Sequence, residues 1–119
     1  IVLRIGQTED QMHGTKVLHD AGVKIALHTD DPVSRQKWLR ICAAISIHYD
    51  LPEDVALKAI TINPAEMSRI ADRVGSIEEG KDADLVVLDG TWYELKTRVD
   101  KVFVDGVLAY DRASDANPF

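Results

Sequence analysis

The stretch Gly22-Val23-Lys24-Ile25-Ala26-Leu27-His28-Thr29-Asp30-Asp31-Pro32 sets a β-branched and apolar run directly against a dense polar cluster. Residues 23–28 read as a short strand, and Pro32 stops any ladder there because it has no N–H to donate. His28, Thr29, Asp30 and Asp31 therefore fall at the carboxyl end of a strand, with a helical pattern next. In parallel α/β sheets and barrels that edge carries the active site, since strand ends aim their side chains into a shared mouth. A carboxylate in such a place can bind a divalent metal and take a proton from metal-bound water. The spacing fits a plainer role equally well, in which Asp30 or Asp31 only caps the next helix. His28 alternates with Asp30, so an extended backbone puts both on one face, although an ordinary strand histidine has the same pattern.

Working back from this stretch, Thr8 stands three residues before Gln11, the spacing of a capping box, and predicts a helix over residues 9–21. Gly22 suits a left-handed C-cap, whereas Gly14 inside that helix costs about 1 kcal/mol relative to Ala. Working forward, Trp38, Ile41, Cys42, Ile45 and Tyr49 recur at helical spacing, and Leu39, Ala43, Ala44 and Ile47 widen the stripe. A mostly buried helix over residues 34–49 is expected. Pro52, Glu53 and Asp54 open another that runs to about residue 60. Asn63-Pro64-Ala65-Glu66 reads as a further start, with Asn63 as N-cap and Pro64 at the first helical position, ending near residue 71.

After Val74 the pattern becomes extended, punctuated by Gly75, Gly80 and Gly90. Strands are expected at residues 83–88, 99–104 and 107–110, the last two joined by Asp105-Gly106, a dipeptide favoured in tight hairpins. A boundary near Arg73 divides the chain into residues 1–73 and 74–119. The polar tail, residues 113–119, is expected to fray.

Composition bounds the function. The chain has 119 residues, 45% hydrophobic and 29% charged, which is a globular balance and excludes a disordered one. Fourteen Lys and Arg against twenty Asp and Glu give a net charge of -6, which argues against nucleic acid as a partner. No apolar run approaches the roughly 18–20 residues of a membrane span, and Ile1-Val2-Leu3-Arg4 does not read as a signal peptide. A cytoplasmic protein without membrane contact is expected. Cys42 is the single cysteine, so neither an internal disulfide nor a CxxC metal site can form. The chain does not begin with Met, which leads to the expectation that it was cut from something longer.

Three motifs in order carry a family resemblance: residues 22–32 as quoted, then Ala59-Ile60-Thr61-Ile62-Asn63-Pro64-Ala65, then Gly75-Ser76-Ile77-Glu78-Glu79-Gly80-Lys81-Asp82-Ala83-Asp84-Leu85-Val86-Val87. Together, over about residues 21–111, they resemble the C-terminal third of an amidohydrolase-superfamily enzyme. The resemblance is nearest the branch of imidazolonepropionase and related deaminases. It implies an α/β fold: the C-terminal portion of a TIM barrel (the last βα unit and following helices), plus strands of a small β-sandwich subdomain. It also implies that Asp30 matches the aspartate ending the barrel's eighth strand, which contacts the metal and shuttles the proton. Asp31 follows as a second aspartate does in adenosine-deaminase-like members, where it touches the substrate. His28 joins Asp31 as a candidate substrate-binding residue.

The remaining candidates read as structural. His13 and His19, six apart on a helix, are turned by about 240° and make no metal pair. His48 falls near a helix C-terminus, where partial positive charge is favourable. Cys42 sits in an apolar stripe, and Lys81, Asp82 and Asp84 read as turn residues. The His-x-His pair that the family carries on its first strand is absent from this sequence. A whole barrel takes about 250 residues, more than this chain holds.

The resemblance thus implies part of a hydrolase acting on carbon–nitrogen bonds other than peptide bonds, such as a cyclic amide or a ring amidine. Zinc is the expected metal, with iron or manganese as alternatives, and the chain alone is expected not to retain it or to turn over substrate. A superfamily dipeptidase or carboxypeptidase and a non-catalytic folding or interaction module are the rival readings. A small-molecule substrate and self-association through uncovered strands are the expected partners.

Overall fold

The structure, a computed structural model, describes residues 12–114. The Thr8–Gln11 capping box, the apolar opening run and residues 115–119 of the tail lie outside them. In chain order the elements are α1 (Gly14–Asp20), a 3-10 turn (Gln36–Trp38), α2 (Leu39–His48), α3 (Glu53–Ile60), α4 (Ile62–Met67), β1 (Leu85–Leu88), β2 (Val99–Val104) and β3 (Val107–Asp111). The mixed helix-and-strand class expected from the sequence is present.

Gly22 closes α1 as expected. At φ 76° it occupies the left-handed region, and its N–H and that of Val23 donate to the His19 and Leu18 carbonyls at 2.9 Å each. Residues 24–29 then alternate, with Ile25, Leu27 and Thr29 buried and Lys24, Ala26 and His28 more exposed. The expected strand is corrected in one respect: His28 makes an isolated bridge, and the stretch forms no ladder among the described residues. Helices hold it instead. The Leu27 N–H donates to the Ala59 carbonyl at 2.9 Å, and the Asn63 side-chain amide donates to the Ile25 carbonyl at 2.8 Å.

Ile25 and Leu27 thereby join a core with Ala43, Leu51, Ala56 and Ala59. Alanines at the facing positions of α2 and α3 have no side chain beyond Cβ to hold the two helices apart. The long helix expected over residues 34–49 is shorter and less buried. A 3-10 turn precedes α2, only Cys42, Ala43 and Ser46 are buried along it, and Trp38 and Ile41 are exposed. No described element covers that second apolar face.

Asn63 is not the N-cap of α4. Thr61 holds that position without a side-chain cap, and Asn63 spends its amide on Ile25. The helix stops at Met67, short of the expected end, and the chain turns at Arg69 with φ 60°.

The sheet is an antiparallel meander in the order β1-β2-β3. Leu85 pairs with Phe103, and Val86 pairs with Val102, which in turn faces Tyr110. Asp105 and Gly106 both take positive φ, 51° and 75°, as the expected tight hairpin requires. Asp84, read from sequence as a simple turn residue, accepts a hydrogen bond from the Asp105 N–H at 2.8 Å, while the Ala83 carbonyl accepts from Gly106 at 3.1 Å.

Residues 89–98 leave β1, reach the helices and return to β2. Trp92 packs against the core, the Tyr93 hydroxyl donates to Glu53 at 2.7 Å, and Arg40 donates to the Thr97 carbonyl at 2.7 Å. Gly75 fits against α4, where a Cβ would come within 2.8 Å of the Ala65 Cβ.

Candidate functional site

Extended backbone delivers His28 and Thr29 to the end of the buried stretch, and Asp30 then turns it. Asp30 has φ 60°, a left-handed conformation that Asp tolerates better than most residues because its short polar side chain bonds locally. Its carbonyl accepts from the N–H of Val33 at 2.8 Å and of Ser34 at 3.3 Å, closing a tight turn around Pro32. Its own N–H donates to Nδ1 of His28 at 3.2 Å. The strict alternation expected of His28 and Asp30 thus ends at Thr29, yet the turn still brings the two residues together.

Leu27, His28, Thr29, Asp30, Asp31, Gln36 and Leu39 line an open cleft of about 450 Å³, within the size range of small-molecule sites. His28, Asp30 and Asp31 thus share one depression. Neither carboxylate caps the following helix. The 3-10 turn begins after Arg35 and α2 after Trp38, and neither start has a side-chain cap. Gln36 was not singled out in the sequence, because residues 34–49 read as one buried helix. It stands instead at the start of the 3-10 turn, on the lining of the cleft. A second depression of about 300 Å³ lies at the other end of the stretch, lined by His19, Gly22, Val23, Lys24, Ile25, Val55 and Asn63. Lys24 pairs there with Glu66 at 2.5 Å, away from the acidic cluster.

The other titratable candidates stay apart from the cleft. His13 and His48 each meet Tyr49 edge-on, at ring separations of 5.0 and 5.1 Å. Burial pushes the Cys42 thiol upward, which keeps it protonated and suits packing rather than nucleophilic attack. Lys81 is bonded to Ser76 at 2.5 Å and pairs with Glu78 at 3.2 Å.

Among the described residues, no three His, Cys, Asp or Glu side chains converge as a metal site. His28, Asp30 and Asp31 line one depression without converging on a common point, so these donors do not by themselves fit a resident metal. No helix among the described residues is long and apolar enough to cross a membrane.

Comparison with known proteins shows the family. The description "Amidohydrolase family" matches residues 8–109. Imidazolonepropionase of Thermoplasma volcanium is 30% identical over 118 residues, covering 92% of this chain and 29% of that protein. The crystal structure of an amidohydrolase from Thermotoga maritima MSB8 superposes with a TM-score of 0.81 at 42% identity, covering 85% of this chain and 26% of that one. A Xaa-Pro dipeptidase crystallised with methionine in its active site superposes at 0.70 with 30% identity, covering 86% of this chain and 25% of the other. The chain therefore spans under a third of the length of each of these three proteins.

Proposed function

Because the chain belongs to the amidohydrolase family, we propose that it forms part of an enzyme that hydrolyses a carbon–nitrogen bond other than a peptide bond, in a cyclic amide or ring amidine. One observation carries this reading: Asp30, with His28 and Asp31 beside it, lines a cleft at the end of the extended stretch, inside the family match. Residues 1–73 would belong to the barrel and residues 74–119 to the sandwich subdomain. A small molecule is the substrate, and self-association through the sheet is the proposed protein contact.

Asp30 moves a proton in this reading. Its carboxylate takes the proton of the attacking water and returns it to the departing nitrogen, which leaves as a neutral amine. Asp31 and His28 hold the substrate. A divalent metal in the whole enzyme, zinc or else iron or manganese, would polarise the scissile bond, its other ligands coming from outside the described residues.

The similarity to a Xaa-Pro dipeptidase favours a second reading, a peptidase of the same family. Purified longer enzyme separates the two when assayed on imidazolone, purine and dipeptide panels. In the same protein Asp30→Asn keeps the shape of the side chain and loses the base, so turnover should vanish while the melting temperature holds. Unimpaired turnover in that variant overturns the role of Asp30. The 119-residue chain by itself should carry well under one equivalent of zinc after dialysis, and a stoichiometric, tightly held ion would contradict the incomplete donor set.

A further inference from the structure

We infer that Asp105–Gly106 is a modification site, where water alone turns the ordinary peptide link into an isoaspartyl one, and that the other Asp–Gly step of the sequence, Asp89–Gly90, is protected from the same change. In the first stage the Gly106 nitrogen attacks Cγ of Asp105. The N–Cγ bond forms, a carboxyl C–O bond breaks, and the amide proton leaves with the carboxyl OH as water. A second water then opens the five-membered imide at the Asp105 main-chain carbonyl. That carbon becomes a free carboxyl, and the chain now runs through Cγ. The sum is an isomerisation that consumes no oxidant, reductant or cofactor.

Both steps meet one requirement, a glycine whose nitrogen no side chain of its own shields. They differ in how the carboxyl group is held. Arg112 Nη1 donates to Asp89 at 2.6 Å, the Arg98 backbone N–H donates to it at 2.8 Å, and Arg98 Nε lies 3.4 Å away. These contacts favour the ionised form, and a carboxylate has no OH to lose. The carboxyl group of Asp105 has no hydrogen bond or ion pair among the described residues. Arg73 acts on it electrostatically but is bonded to Asp82. Asp105 and Gly106 are both exposed, and a Cβ built on Gly106 would meet nothing nearer than the Ala83 Cβ at 3.9 Å, so the space around that nitrogen is open.

The change reaches beyond the turn. The Asp105 N–H donates to Asp84 at 2.8 Å and the Gly106 N–H to the Ala83 carbonyl at 3.1 Å, which together fasten the hairpin tip to the residues before β1. An isoaspartyl link sets one more main-chain atom between those two donors, next to the Val104–Val107 pair. The two bonds can no longer form together, and the tip lets go of β1. None of this uses the cleft, so it stands or falls apart from the proposed hydrolysis.

The test holds the chain for weeks in dilute solution near neutral pH, in water enriched in ¹⁸O. Opening of the imide puts one heavy oxygen into the residue, and peptide mapping with electron-transfer fragmentation locates it and separates isoaspartate from aspartate. Isoaspartate should build up at residue 105 about tenfold or more over residue 89, because releasing a charge-assisted clamp thins the reactive population by that factor. In urea, where neither carboxyl group is held, the two residues should react at similar rates. Arg112→Gln, which removes the shortest contact to Asp89, should raise isoaspartate at residue 89 several-fold and leave residue 105 unchanged. Should that variant unfold, which its circular dichroism reveals, the folded-against-urea comparison in the unsubstituted chain decides alone. Equal build-up at the two residues in the folded chain, or none at residue 105, overturns the inference.

Discussion

The side-chain amide of Asn63 hydrogen-bonds the Ile25 carbonyl at 2.8 Å, so a residue of α4 supplies a pairing that a neighbouring strand would otherwise give. With the Leu27–Ala59 bond it fixes the buried stretch that ends in the acidic cluster. Ile25 is 5% exposed, and a carbonyl in that setting left without a donor is costly. Asn63→Ala should therefore lower unfolding stability by about 1–2 kcal/mol in urea titrations. Asn63→Asp, which sets a second acceptor against the carbonyl, should do more damage. An unchanged midpoint in the alanine variant would mean that water replaces the amide at no cost.

That bond also marks where reading the sequence stops. Asn-Pro-Ala-Glu satisfies every local rule for a helix start, and such rules weigh partners three or four residues away, whereas the true partner of Asn63 lies 38 residues back. The Asp105-Gly106 hairpin and the Gly22 cap were legible because positive φ is a local demand that these residues meet. The turn at Asp30 was not, since alternation presumes extended backbone throughout. The grouping of His28, Asp30 and Asp31 came through even so, because it needs only their adjacency in sequence. Trp38 and Ile41 misled in another way: apolar spacing shows which face a helix could bury, not whether another element lies against it.

Gly75 should not tolerate a side chain. Its φ is 94°, and a Cβ would stand 2.8 Å from the Ala65 Cβ and 3.0 Å from the Ile62 Cα. Gly75→Ala should cost about 1–3 kcal/mol, combining backbone strain with displacement of α4. Gly14→Ala is the control: nothing lies within 4 Å of the added methyl, and a gain of about 0.4–1 kcal/mol is expected. Thermal melts of the two variants should move in opposite directions.

Asp89 governs part of the acid response. The Arg112 guanidinium first, and then the Arg98 backbone N–H, hold its carboxyl down from the ordinary 3.8 to about 2. A depressed carboxylate stabilises the fold at pH above its unfolded value, and that contribution is lost as pH falls through the folded one. The window is therefore from about pH 4 down to about pH 2. Asp89→Asn should make the melting temperature fall less steeply there than in the unsubstituted chain, and identical acid limbs would refute the assignment.

The proposed self-association rests on the sheet. Val86, Val104 and Val107 are 58%, 54% and 69% exposed, and β1 and β3 each pair on one side only among the described residues. Apolar faces and open edges of this kind draw in other chains. Sedimentation equilibrium over a wide concentration range should show mass rising above 13.2 kDa, and Val104→Lys should shift the profile toward the monomer. A strictly monomeric, cooperatively unfolding chain would contradict the proposal.

Residues 89–98 are anchored on the sheet at both ends and on α2 and α3 in between, through Thr97 and Tyr93. A segment fastened this way acts as a strut: pushing the sheet pulls the helices with it, and hinge motion between the layers is blocked on that side. The cleft rim at residues 30–38 lies outside that strut, with turn bonds running along it and Val33 and Trp38 standing in solvent. Movement of the rim therefore need not disturb the coupling of the sheet to the helices.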